Sequence, residues 1–163
     1  MTMILFESEG VRFNLRVGGV ALSEGKALLQ YTELDTFWVV PSGRVEMMEP
    51  ATDALKREIA EELGVEVTVD RLLWAVENFF IYQGNRTHEI GLYFLINLPE
   101  VSALSNHEGI LETTGEQGMK LFNQWHPVDD LDDLDHLDIR PSFLRDALAS
   151  PPDQPAHVVH LRE

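Results

Sequence analysis

The segment from Pro50 to Gly64 constrains this chain most. Proline stands where a helix starts and glycine just past where one ends, and the interior is rich in Ala, Leu, Lys and Glu, which predicts a single helix over Pro50 to Leu63 with proline at its first position. At about 100° per residue, Glu61 and Glu62 fall on either side of Glu58 and share its face. Leu55, Ile59 and Leu63 form an apolar stripe that borders this acidic arc, so the helix is expected to pack on a sheet with Glu62 partly buried at the seam. Like charges three and four residues apart repel, and Glu61 and Glu62 also face the negative end of the helix dipole; each effect costs a few tenths to about 1 kcal/mol. A divalent cation would reverse the sign of all of them. Lys56 and Arg57 offset part of the repulsion, so the helix by itself reads equally as a solvated surface helix.

The flanks are rich in strand formers. Val11 to Leu22 reads as a strand with a Gly18-Gly19 interruption suited to a bulge or a close backbone approach. A turn at Ser23 to Lys26 leads to a second strand over Ala27 to Tyr31, and Phe37 to Val40 reads as a third, ended by Pro41. Val65 to Tyr82 and His88 to Leu98 form a long hairpin around Gln83 to Arg86. The polar stretch from Pro99 to Gly118 is a loop of functional length. Met119 to Trp125 makes another strand, Asp129 to Leu137 a short acidic helix and Pro141 to Ala149 a final amphipathic one. Residues 1–150 are expected to form one domain and 151–163, with three prolines, an extended C-terminal tail.

The chain has 163 residues with 12 Lys+Arg against 28 Asp+Glu, a net charge of −16. Binding to a nucleic-acid polymer through phosphate neutralisation is disfavoured, since it needs clustered cations; a phosphate-bearing substrate would need a metal to mediate. The absence of cysteine excludes disulfides, thiolate zinc sites and a thiol nucleophile. The six histidines are dispersed without zinc-ligand spacing. The acidic run from Asp129 to Asp138 lacks the mid-loop glycine and closing glutamate of a helix-loop-helix calcium site. No apolar stretch approaches a membrane span and the first residues lack a secretory pattern, so a cytoplasmic location is expected.

The complete segment, Gly43, Glu49, Arg57, Glu58, Ile59, Glu61, Glu62, Gly64 and Val65 at fixed spacing, resembles the signature of the Nudix hydrolases, G-x5-E-x7-R-E-U-x-E-E-x-G-U with U a bulky aliphatic residue. The wider likeness runs from about Phe13 to Leu134. It implies an α/β fold, an α/β/α sandwich around a mixed β-sheet, and metal-dependent cleavage of a diphosphate bond in a nucleoside diphosphate linked to another moiety, with Mg²⁺ or Mn²⁺. Carried over residue by residue, it implies that Glu58, Glu61 and Glu62 hold the metal and that Glu49 and Arg57 pair to brace the loop against the helix, with Gly43 and Gly64 structural. Ser42 stands where the family commonly has glycine, and its backbone oxygen would remain available to the metal. Glu58 is one candidate for the base. A glutamate in the loop before the last strand is another, and of Glu108, Glu112 and Glu116 the nearness of Glu116 to the Met119 strand favours it.

The substrate is less determined. Tyr82, at an offset that in the resembled family accompanies diadenosine polyphosphate substrates, shares an alternating face with Phe80 and Trp74, either as a base-stacking shelf or as core packing. Arg44, Lys56, Arg86 and Lys120 are candidate phosphate contacts. The expected partner is a small nucleotide diphosphate derivative, with no membrane and no nucleic-acid polymer, and a homodimer is left open. A catalytically silent Nudix-fold domain that binds a nucleotide as a sensor is the alternative; retention of all three helix glutamates argues against it. The isomerase branch of the same fold uses a cysteine, and none is present.

Overall fold

A computed structural model describes residues 2–105, 107–129 and 137–162. Its elements are β1 (Leu5–Ser8), β2 (Val11–Ser23), β3 (Lys26–Thr32), β4 (Ser42–Arg44), α1 (Ala51–Leu63), β5 (Thr68–Tyr82), β6 (Asn85–Asn97), β7 (Leu111–Thr114), a 3-10 turn (Glu116–Gly118), β8 (Lys120–Pro127), α2 (Leu144–Ala147) and β9 (Ala156–Leu161). One sheet runs in the order β7-β8-β3-β2-β6-β5-β9, with β1 and β4 also paired to β2. The β2/β6 and β5/β9 pairs are parallel and the β5/β6 hairpin is antiparallel, so the sheet is mixed. Among the described residues no helix is long and apolar enough to cross a membrane.

Each face of the sheet carries its own core. On one, Leu55, Ile59 and Leu63 of α1 pack with Val17, Ala21, Leu28 and Ile96. On the other, Leu144 and Leu148 pack with Val20, Leu29, Leu73, Trp74 and Tyr93, completing a layer of helix, sheet and helix. The paired glycines of β2 serve close approach, and the β2/β6 register runs through them without a bulge. A methyl at Gly19 would meet Ile96 at 2.8 Å and Ile59 at 3.2 Å, and one at Gly18 would meet the Tyr93 ring at 2.7 Å. Glycine at these two positions lets α1 lie against one face of β2 and an aromatic ring against the other.

Helix α1 begins one residue later than expected, with Pro50 as its N-cap, and ends on Gly64 in the left-handed conformation, as a helix leading into an extended chain requires. Phe37 to Val40 is not a strand: it makes isolated bridges, Gln30 with Val39 and Trp38 with Ile139, because Pro41 has no N–H to extend the pairing. The stretch from Pro99 to Gly118 contains β7, paired along β8. The acidic helix expected over Asp129 to Leu137 falls largely on residues 130–136, outside the described residues.

The expectation of a C-terminal tail beyond residue 150 is corrected. Ala156–Leu161 adds β9 to the sheet edge, in parallel register with Trp74 to Phe79. The prolines before it serve as the crossover, where the Arg71 guanidinium donates to the Pro152 carbonyl at 2.7 Å. Alternating Ala156, Val158 and His160 face inward, a period-two pattern that a proline-rich composition masked. A chain ending at Ser150 is therefore expected to melt at least ~5 °C lower in a thermal scan; an unchanged melting temperature would mean that β9 adds nothing to the fold.

Candidate active site

The loop before α1 and the helix itself are joined by one cation. Arg57 donates through Nε to Glu49 Oε2 at 2.8 Å and through Nη2 to Glu49 Oε1 at 2.9 Å, a bidentate pair. Its Nη1 donates to Glu58 Oε1 at 2.9 Å and lies 3.5 Å from Glu61 Oε2, while Nη2 also reaches the Arg44 carbonyl at 3.2 Å. Glu49 in turn accepts from the Glu46 backbone N–H at 3.1 Å. The planar fork of arginine suits this work, since a lysine ammonium is a single point charge and cannot make the bidentate pair with Glu49 while its other donors reach Glu58 and the Arg44 carbonyl. Hydrogen bonds from Arg57 hold the Glu49 carboxyl below its ordinary pKa.

Gly43 of β4 lies directly under the Glu58 side chain, and a β-carbon there would overlap the carboxyl group. Glycine at this point lets a buried carboxylate, 4% exposed, lie flat between helix and strand. Burial raises the Glu58 pKa, with Arg57 opposing. Carboxylate oxygens of Glu58, Glu61 and Glu116 come within 4.8 Å of one another. Glu116 arrives from the 3-10 turn before β8, whereas Glu112 points to Lys120 at 3.9 Å and Glu108 is exposed. Glu62 stands apart from this trio and faces a cavity. Its Oε2 is buried without a hydrogen-bond partner among the described residues, and burial, followed by the Glu58 charge, pushes its pKa up to about 8.

The cavity, about 320 Å³, extends from Glu62 and Ser42 across the sheet to β9. Of the 12 Lys+Arg in the chain, five line it: Arg12, Arg16, Arg44, Arg140 and Arg162. Among the described residues they outnumber the lining acids Asp35, Glu62 and Glu89, so that part of a strongly anionic chain is locally cationic. Arg16 donates to Glu89 at 3.0 Å and to the Ser42 hydroxyl at 3.1 Å. Arg44, cross-strand from Arg16, has a buried Nε without a partner; burial and then the charges of Arg16 and Arg12 lower its pKa. An anion placed there would relieve that repulsion.

Arg44, Phe80 and Tyr82 all line the cavity, while Trp74 instead packs in the core against Phe143. The Tyr82 hydroxyl donates to Asp35 at 2.9 Å, fixing the ring at the rim. Lys56, Arg86 and Lys120 do not line the cavity. Sequence reasoning missed Arg12, Arg16, Arg140 and Arg162. For the first two a signal existed: Arg12, Asn14 and Arg16 alternate with apolar residues in β2, a pattern that marks a polar face without telling solvent from pocket.

A mixed sheet thus sets an acidic helix beside a cationic cavity. The NUDIX domain profile matches residues 12–147, and the chain belongs to the Nudix hydrolase family. It is 43% identical over 60 residues to the low-salt glycan biosynthesis protein Agl8 of Haloferax volcanii, a stretch covering 35% of this chain and 38% of that protein. Among solved structures, it resembles a MutT protein from Bacillus halodurans with a TM-score of 0.60 and 19% identity, covering 88% of this chain and 89% of the other. An ADP-ribose pyrophosphatase from Streptococcus suis gives 0.56 and 16%, with 90% and 98% covered. At these identities the likeness to the solved structures is one of fold.

The Glu49 carboxyl, held below its ordinary pKa, contributes stability that is present above the ordinary carboxylate range and lost as pH falls through its lowered value. Glu49→Gln should therefore cost about 1–2 kcal/mol at neutral pH, with the gap to wild type constant above that range and narrowing below it in urea titrations. A gap that persists unchanged into acid would show that the fork does not depend on the charge of Glu49.

Proposed function

We propose that the protein is a metal-dependent hydrolase that cleaves the diphosphate bond of a nucleoside diphosphate linked to another moiety. The observation that carries this reading is the convergence of Glu116 with Glu58 and Glu61 beside the cationic cavity. The donor set suits a hard divalent cation such as Mg²⁺ or Mn²⁺: carboxylate oxygens only, one residue of the three buried, with Glu62 one helical turn on from Glu58 and within reach of its charge. Glu58, Glu61 and Glu62 would hold the cation, with the Ser42 carbonyl as a further oxygen. When bound, it supplies charge neutralisation for the diphosphate and Lewis acidity toward the attacking water.

The protein's own groups supply the rest. Arg44 and Arg16 hold the diphosphate oxygens, because these cations already crowd one another at the Ser42 end of the cavity. Arg57 positions Glu58 and Glu61 without touching substrate. Glu116 takes the proton from the water as its oxygen attacks phosphorus and the bridging P–O bond breaks. Phe80 and Tyr82 give the nucleoside apolar walls.

The assay combines a panel of dinucleoside polyphosphates, nucleoside triphosphates, nucleotide sugars and ADP-ribose with millimolar Mg²⁺ or Mn²⁺. Wild type should cleave at least one compound, chelation should abolish the reaction, and Glu116→Gln should lower kcat by roughly 10²-fold with KM within a few-fold. Cleavage of none would overturn the hydrolase reading in favour of a nucleotide sensor.

A further inference from the structure

Four strands each place one polar side chain on a single line across the floor of the cavity. Asn14 of β2 stands opposite Glu89 of β6, Glu89 opposite Asn78 of β5, and Asn78 opposite His160 of β9; all four line the cavity. The first three are 2%, 4% and 6% exposed in strand order. Buried polar groups in the middle of a sheet are costly unless they are bonded; this row is bonded at its β9 end and at Glu89, while Asn14 Oδ1 is left without a partner among the described residues.

At the β9 end the bonding is directional. Burial, reinforced by Arg162, lowers the His160 pKa, so the ring is neutral and carries one N–H. The Ser142 hydroxyl donates to Nε2 at 2.8 Å, and Nδ1–H donates to Asn78 Oδ1 at 2.8 Å. With Oδ1 engaged by the His160 ring, the Asn78 amide keeps its Nδ2 donors for another acceptor. Glu89 gives one carboxylate oxygen to Arg16 at 3.0 Å. At the far end, Asn14 Oδ1 is buried with no hydrogen-bond partner among the described residues.

Phosphate does not fit this row. It has acceptors and negative charge, so it would leave Asn14 Oδ1 unpaired and repel Glu89; the arginines at the Ser42 end suit it better. The row calls for a neutral group that donates N–H or O–H and also accepts. Its walls are Phe80, Tyr82 and Phe37, with the Arg140 guanidinium 4.2 Å from the Phe37 ring centre, surfaces that suit a planar ring.

We propose that Asn14, Glu89 and Asn78 bind the polar edge of the substrate's nucleobase, and that His160 is a positioning residue fixing which group of the Asn78 amide the base meets. The identification of the ring as a nucleobase rests on the proposed nucleotide substrate. His160 lies on β9, beyond the stretch 12–147 that matches the family.

The test is calorimetric titration of the metal-free protein with AMP, GMP, CMP and UMP, and with ribose 5-phosphate as the probe lacking a base. At least one nucleotide should bind about 10-fold or more tightly than ribose 5-phosphate. His160→Phe should alter the preference order among the bases while leaving ribose 5-phosphate affinity within a few-fold, and His160→Asn, which keeps a donor near the Nδ1 position, should restore the order. Asn14→Leu should weaken the preferred nucleotide alone; should that variant fail to fold, the near-isosteric Asn78→Asp makes the same test. Equal affinity for all five ligands, or a preference order indifferent to the substitutions at 160 and at 14 or 78, would overturn the proposal. Base-selective binding without any hydrolysis would sink the hydrolase reading and leave this one standing; hydrolysis with base-indifferent binding would do the reverse.

Discussion

The Arg57 guanidinium is the joint on which the site depends. It faces Glu49, Glu58 and Glu61 at once, and each contact ties a different part of the segment: the loop through Glu49, the buried carboxylate through Glu58, the exposed end of the helix through Glu61. Crowded carboxylates would otherwise splay apart. Held this way, Glu58 lies over Gly43 and the helix presents acids to the turn that carries Glu116. The arrangement is compact because two small features allow it, a glycine under Glu58 and a second at position 19 under Ile59.

Charge is partitioned over short distances. A chain of net charge −16 gathers five arginines around one cavity and sets an acidic cluster beside it, so the local field at the pocket opposes that of the whole molecule. Such a division suits a ligand whose phosphates need both a metal and cations. It also explains why surface lysines such as Lys120, paired with Glu112, contribute little to the pocket.

The helix was legible because its signals are local: proline, glycine, a 3.6-residue stripe and fixed acid spacing lie within one continuous segment. The placement of Glu116 was legible in part, from its nearness to β8, although what separates it from Glu112 is the sheet pairing that turns Glu112 toward Lys120. The pocket was not legible. Arg12, Arg16, Arg162 and His160 come together through the β2/β6 and β5/β9 pairings on either side of the β5/β6 hairpin, and Arg140 through its backbone N–H donating to the Trp38 carbonyl; the hairpin was legible, but no local pattern encodes the registers that join strands far apart in sequence. Strand β9 was missed for a similar reason: its six residues alternate correctly, but the prolines ahead of them dominated the reading.

If the helix carboxylates are arranged for a cation at the expense of the metal-free fold, as proposed, Glu62 is the residue at which the cost is measurable. Burial raises its pKa to about 8, so the native state keeps this proton longer than the unfolded chain does, and its contribution to stability falls as pH rises from the ordinary carboxylate range to that value. Glutamine mimics the protonated acid. The decisive measurement is the melting temperature of wild type and Glu62→Gln across this window, with and without Mg²⁺. Without metal the variant should be at least as stable as wild type, with its advantage growing as pH rises, whereas Mg²⁺ should raise the wild-type melting temperature far more than the variant's. A variant that is strongly destabilised without metal, yet gains as much from Mg²⁺ as wild type, would make Glu62 a structural acceptor and contradict the account.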